Sequence, residues 1–395
     1  MHATAILRRC LSDVLDSMHA ARSRRLMSAV EALIQGRRLT LTDLARSWPG
    51  ATWMHAPLKA LDRLLSNAHL HQAIEPLQRA MAHWLLRHPR PVLVVDWSDL
   101  KGDKRWCVLR AAVPVGGRSL TVYEQIFPLC RMGQPRAQSE FLQEMRRRLP
   151  AQVCPIIVTD AGFRSDWYRS VQALGWDFIG RLRNNTRVKR RSSALWQPCA
   201  SLHERARPKV RDLGDYAIVK GNPLSVRLVL IRRPRLRHPP CAHAQPRSRS
   251  TYHQKCSKAA REPWLLATSL TESAFTAAQI VSAYAKRMQI EEAFRDLKSH
   301  RYGVGFEDSS TRRAERLSVL MMLHSLACFA AWLLGLVLAT VQLADPLARQ
   351  RSHHKRYSRQ RRSLEWLRRS ALPPDLGAAL RRTPFEPLVD AGLRS

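Results

Sequence analysis

The order of short apolar runs between Pro91 and Arg183 constrains this chain more than any other feature. VLVVDWS comes first, then KRWCVLRAAVPV and SLTVYEQIFPL on either side of Gly116-Gly117. QSEFLQEMRRRL, CPIIVTD, FRSDWYRSVQAL (closed by Gly175) and WDFIGRLR follow. β-Branched runs bounded by turn residues read as strands, and the paired glycines read as a hairpin. Apolar residues three and four apart read as helices. Three strands, helix, strand, helix, strand predicts an α/β core with a mixed sheet.

The flanks differ in character. Residues 1–85 carry helical spacings in LRRCLSDVLDSM and RRLMSAVEALI. Beyond them LTLTDLARSWPGATWMHAPLKALDRLLSN shows two short helical patterns parted by Pro49-Gly50, with Thr42 as the expected N-cap. That pattern resembles a helix-turn-helix, which offers a helix to a DNA major groove, although any small helical bundle shares it. Residues 185–262 are Pro- and Arg-rich, with strand candidates in DYAIVKG and SVRLVLIRR and an expected basic loop over 232–260. WLLATSL then predicts a strand, and FTAAQIVSAYAKRMQIEEAFRDLKS one long amphipathic helix.

Leu317–Ala344 is apolar and long enough to cross a bilayer. It stands alone, and its flanks RRAER and RQRSHHKR are equally basic, so a helix buried all round in a soluble core is expected, with no membrane partner. The expected divisions are a helical DNA-binding region (1–85), the first part of the core (86–184), a β-rich basic insertion (185–262), the second part of the core (263–344) and a basic C-terminal region (345–395).

The chain holds 66 Lys and Arg against 31 Asp and Glu, a formal charge of +35. Such an excess repels itself unless a polyanion is the partner, and each phosphate neutralised releases condensed counterions. Residues 181–261 alone carry 21 basic and 3 acidic side chains, and RQRSHHKRYSRQRRSLEWLRR (349–369) forms a second track. Double-stranded DNA is the expected partner. The eight cysteines are scattered, which predicts reduced thiols and a cytoplasmic protein. Cys241, His243, His253 and Cys256 fit no common zinc spacing and read as a loop.

Asp96 and Asp160 each end an apolar strand, VLVV-Asp and PIIVT-Asp. An isolated strand-end aspartate is usually a turn former. Two in so basic a protein point to a divalent cation, since carboxylates are costly beside a polyanion without one. On the long helix, Tyr284, Arg287, Glu291 and Lys298 follow the spacing Y-x2-R-x3-E-x6-K. At helical pitch they fall within an arc of about 60°, from which Glu292 is well removed.

VDWSDL, VTDAGF and YAKRMQIEEAFRDLK resemble the DDE transposases of bacterial insertion sequences, in the group bearing the YREK signature. The resemblance implies an RNase H-like core interrupted by a β-rich insertion. It also implies Asp96, Asp160 and Glu291 as catalytic metal ligands for two Mg²⁺ ions, with Mn²⁺ as a substitute. Tyr284, Arg287 and Lys298 match residues that hold transposon-end phosphates, and Trp264 matches a tryptophan on which a flipped base stacks. Met288 stands where some relatives carry a second aromatic beside the arginine. Cut-and-paste transposition through a hairpin intermediate, by a homodimer that synapses two inverted-repeat ends, is what the family implies. A nuclease of the same fold without strand transfer and a domesticated DNA-binding protein are the alternatives.

Overall fold

Gly116 and Gly117, both at positive φ, close the turn between β2 (Trp106–Pro114) and β3 (Ser119–Pro128), where the Val115 N–H reaches the Arg118 carbonyl at 2.8 Å. Two successive positive-φ positions match the twist of a tight hairpin, and glycine takes them at no steric cost. β1 (Val92–Asp99) pairs antiparallel with β2, so the three form a meander in the order β3-β2-β1. The computed structural model describes residues 2–183, 186–233, 262–341, 358–369 and 372–394. Two units make up the chain: Met1–Pro155 with Lys286–Ser395, and Ile156–Ala285. Cys241, His243, His253 and Cys256 lie outside the described residues.

In the first unit the meander carries α6 (Pro135–Arg148) and is joined by helices α1 (His2–Ser17), α2 (Ala20–Gly36), α3 (Leu41–Arg46), α4 (His55–Leu65) and α5 (Ala68–Leu85). After the second unit the chain returns with α9 (Met288–Lys298), α10 (Ala314–Val341), α11 (Arg359–Leu367), α12 (Pro374–Arg382) and α13 (Phe385–Arg394). α10 is the apolar run. Among the described residues it is the one helix long and apolar enough to span a bilayer, and the most apolar window of it is wholly buried. It packs against α1, α2, α5, α11, α12 and α13. Each large apolar side chain so buried contributes about 1.5–3 kcal/mol, so a helix apolar on every side suits the centre of a helical layer. Gly335 allows α11 to approach closely: a Cβ there would stand 2.7 Å from Ser363 Oγ and 2.8 Å from Arg359 Cγ.

Among the described residues the second unit holds seven strands of mixed direction in the order β4-β5-β10-β9-β8-β6-β7. Its strands are β4 (Ile156–Thr159), β5 (Asp177–Arg181), β6 (Arg187–Arg190), β7 (Gln197–Pro198), β8 (Arg211–Ile218), β9 (Leu224–Ile231) and β10 (Trp264–Thr268). β4 and β5 are parallel, joined through α7 (Ser165–Ala173), and the other pairings are antiparallel. α8 (Ala277–Ala285) packs on β4, β5 and β9. The mixed α/β character expected from the order of runs is present.

Three local expectations are corrected. The N-cap of α3 is Thr40, whose hydroxyl accepts from the Asp43 N–H at 3.1 Å, and Thr42 lies inside the helix. Asp96 does not end its strand: Trp97, Ser98 and Asp99 go on pairing with Leu109, Val108 and Cys107. The long helix from Phe275 is broken into α8 and α9. At the break the Gln289 and Ile290 N–H groups reach back three residues, to Lys286 and Arg287, so the four-residue ladder is interrupted. One helical arc therefore does not extend from Tyr284 to Lys298.

Candidate active site

α9 lies over the meander through buried Ile290, Phe294 and Leu297, which leaves Glu291 on the edge facing out. Arg287, at the N-cap of α9, stands between two carboxylates. Its Nη1 is 3.5 Å from Asp96 Oδ2 and its Nη2 2.5 Å from Glu291 Oε1. A planar guanidinium fork suits this double pairing, because its N–H groups diverge at fixed angles. The other Asp96 oxygen accepts from the Trp97 N–H at 2.8 Å. Two turns beyond Glu291, the Lys298 ammonium donates to the Asp99 carbonyl at 2.9 Å and lies 3.8 Å from Glu307. A cleft of about 430 Å³ is lined by Asp96, Ser98, Glu291, Lys298 and Glu307. Glu292 faces elsewhere, paired with Arg295 and 3.6 Å from Arg118.

The loop beyond Glu307 is pinned from beneath. Lys101, which is buried, donates to the Ser309 carbonyl and to that of Thr311 at 3.0 Å, and Trp106 Nε1 donates to the Arg312 carbonyl at 2.8 Å. Burial draws the Lys101 ammonium below its usual range. With these carbonyls held, the Arg312 and Arg313 side chains remain exposed.

Asp160 belongs to the second unit, one residue past β4, where its Oδ1 accepts from the Gly162 N–H at 2.8 Å and closes a turn. Tyr168 is fully buried and stacks on Phe178 at 4.4 Å. A Cβ on Gly180 would stand 2.0 Å from the Tyr168 hydroxyl, so glycine alone admits that ring. Burial, followed by the nearby Asp160 and Tyr284, pushes the Tyr168 phenol up. Trp264 opens β10 and meets buried Tyr284 edge to face at 4.8 Å.

Of the seven residues singled out from the sequence, Asp96, Arg287, Glu291 and Lys298 fall together in the first unit. Asp160, Trp264 and Tyr284 fall in the second. Among the described residues no three His, Cys, Asp or Glu side chains are gathered tightly enough to hold a metal ion. The donor chemistry nevertheless fits a hard divalent cation, because Asp96 and Glu291 offer carboxylate oxygens to an open cleft and share one guanidinium. Sequence reasoning missed Asp99, Glu307 and the buried pair Arg110–Glu124. For the last a signal existed: Arg110 is a charge inside the apolar run KRWCVLRAAVPV.

Residues 87–329 match the family model of the transposase DDE domain. No curated protein matches the chain significantly. A solved structure similar to it is the piggyBac transposase synaptic complex with hairpin DNA, seen by cryo-EM. The two are 12% identical, with 100% of this chain and 82% of that chain covered, at a TM-score of 0.41.

Proposed function

Since the chain belongs to the DDE-domain transposases, enzymes that generally use divalent metal ions, we propose that it performs cut-and-paste transposition of a bacterial insertion sequence. Within the family we place it in the YREK-signature group, close to the transposase flanking the tetracycline-resistance composite transposon, with an RNase H-like core. The observation that carries this reading is the joining of Asp96 to Glu291 through Arg287, beside a cleft that both carboxylates and Lys298 line.

Asp96 and Glu291, with Asp160 as the third acid of the motif, would hold two Mg²⁺ ions. Such ions, when bound, activate an attacking oxygen and stabilise a leaving one. The protein's own groups do the rest. Arg287 exchanges its carboxylate partners for a substrate phosphate, and Lys298 adds a second cation at the far end of the same helix. Water attacks phosphorus in line and the 3′-oxygen leaves, which nicks the transposon end. The freed 3′-OH then attacks the opposite strand and forms a hairpin. Opening of the hairpin regenerates the 3′-OH that joins target DNA. We propose double-stranded DNA as substrate for a homodimer that synapses two ends, the +35 charge supplying the attraction.

Mobility-shift and cleavage assays on one preparation test the assignment. Asp96→Asn, Asp160→Asn and Glu291→Gln should each bind transposon ends and fail to nick them. Glu292→Gln, whose carboxylate faces Arg295, should nick at near the normal rate. Normal nicking by any of the first three would remove that residue from the site.

A further inference from the structure

Arg110 lies mid-strand in β2 at 1% exposure, the one charged residue in an otherwise apolar strand. Its register partner on β1 is Asp96, and its partner on β3 is Glu124. Directly opposed residues on antiparallel strands share a face of the sheet, so Asp96, Arg110 and Glu124 form one row. The guanidinium lies 4.7 Å from the centre of the Phe294 ring, which places the row beneath the helix that carries Glu291. Arg110 Nε and Nη2 both reach Glu124 Oε2 at 2.7 Å, and the two side chains are 2% and 5% exposed.

A buried ion pair is weak as a stabiliser, because desolvating two charges offsets most of their attraction. A positional role accounts for it better. The two arginines beside Asp96 differ in their choices. Arg287 borders the cleft and has substrate phosphate as an alternative partner. Arg110 is enclosed, and without Glu124 the carboxylate left as its register partner in the sheet is that of Asp96. We propose that Glu124 is a positioning residue: it holds Arg110 away from Asp96, so that the Asp96 oxygens stay available to a divalent cation. The inference rests on the reading of Asp96 as a metal ligand.

The test is calorimetric titration of the DNA-free full-length protein with Mn²⁺, with thermal melting as a check of folding. Glu124→Gln should raise the Mn²⁺ dissociation constant by about tenfold or more, in the range seen for groups that orient metal ligands. Adding Arg110→Met to Glu124→Gln should return it to the wild-type value, because the competing cation is gone. Glu124→Asp, with its carboxylate one methylene short, should give a smaller rise and serves if Glu124→Gln does not fold. Wild-type Mn²⁺ affinity in the folded Glu124 variant, or no recovery in the double variant, overturns the proposal. Asp96→Asn separates the two readings. If it leaves Mn²⁺ binding unchanged, the active-site assignment fails. If it abolishes binding while the Glu124 variant is normal, only the role of Glu124 fails.

Discussion

Trp264 meets Tyr284 edge to face, ring centroids 4.8 Å apart and planes at 75°. The Arg233 guanidinium lies 4.6 Å from the centre of the same indole, so Trp264 is held in place by a phenol edge and a cation. It is only half-buried, unlike the apolar residues that follow it in β10.

A half-exposed, braced indole suits a base-stacking platform. Base–aromatic stacking is worth about 1–3 kcal/mol, or roughly ten- to a hundredfold in the rate of a step that needs it. Trp264→Ala should nick pre-assembled ends at near the normal rate and accumulate nicked product, with hairpins forming slowly. An abasic site at the extruded position should partly rescue it. Equal loss in both steps, with earlier melting, would instead make Trp264 a core residue.

Arg287 bridges two carboxylates through separate nitrogens, which an ammonium on a single point cannot reproduce. Arg287→Lys should therefore keep its charge and still lose cleavage by about tenfold or more, the cost of one or two charge-assisted hydrogen bonds. Single-turnover nicking at saturating DNA measures this. A rate equal to wild type would show that charge alone suffices.

DNA affinity should fall steeply with salt. Each duplex phosphate neutralised contributes about 0.9 to the slope of log K against log salt concentration. Fluorescence anisotropy on duplex ends across low and moderate salt gives the slope. A flat plot would mean that the +35 charge serves another partner.

Acid should destabilise the first unit through His324. Burial, then the neighbouring Arg110, pulls this imidazole down to about 3. Below the ordinary histidine value of about 6.5 the unfolded chain takes up a proton that the folded chain refuses. Stability from this group is thus complete above that value and drains as pH falls toward 3. Replacing His324 with Leu should narrow the difference in unfolding free energy between neutral pH and about pH 4.5 by roughly 2–3 kcal/mol. Urea titrations at the two pH values measure it, and an unchanged difference would mean that His324 does not titrate this way.

Much of the local structure was legible because it is written between near neighbours. The Gly116-Gly117 hairpin, the β4–α7–β5 succession and the buried apolar helix all follow from spacings of two, three and four residues. The paired cation and carboxylates of Arg287, Glu291 and Asp96 were legible as types, through the YREK spacing and the apolar run before Asp96. Where β1 ended was not, because Trp97 to Asp99 extend it only by pairing with β2. Nor was the interruption at Lys286–Arg287, since the residues on either side share one apolar periodicity. The row Asp96–Arg110–Glu124 depends on the register of three strands and on Phe294, nearly two hundred residues downstream of Arg110, closing over it. Side-chain periodicity determined the elements, whereas the enclosure of a charge, and hence the partner it takes, was decided only by tertiary packing, because desolvation depends on neighbours that the local sequence does not specify.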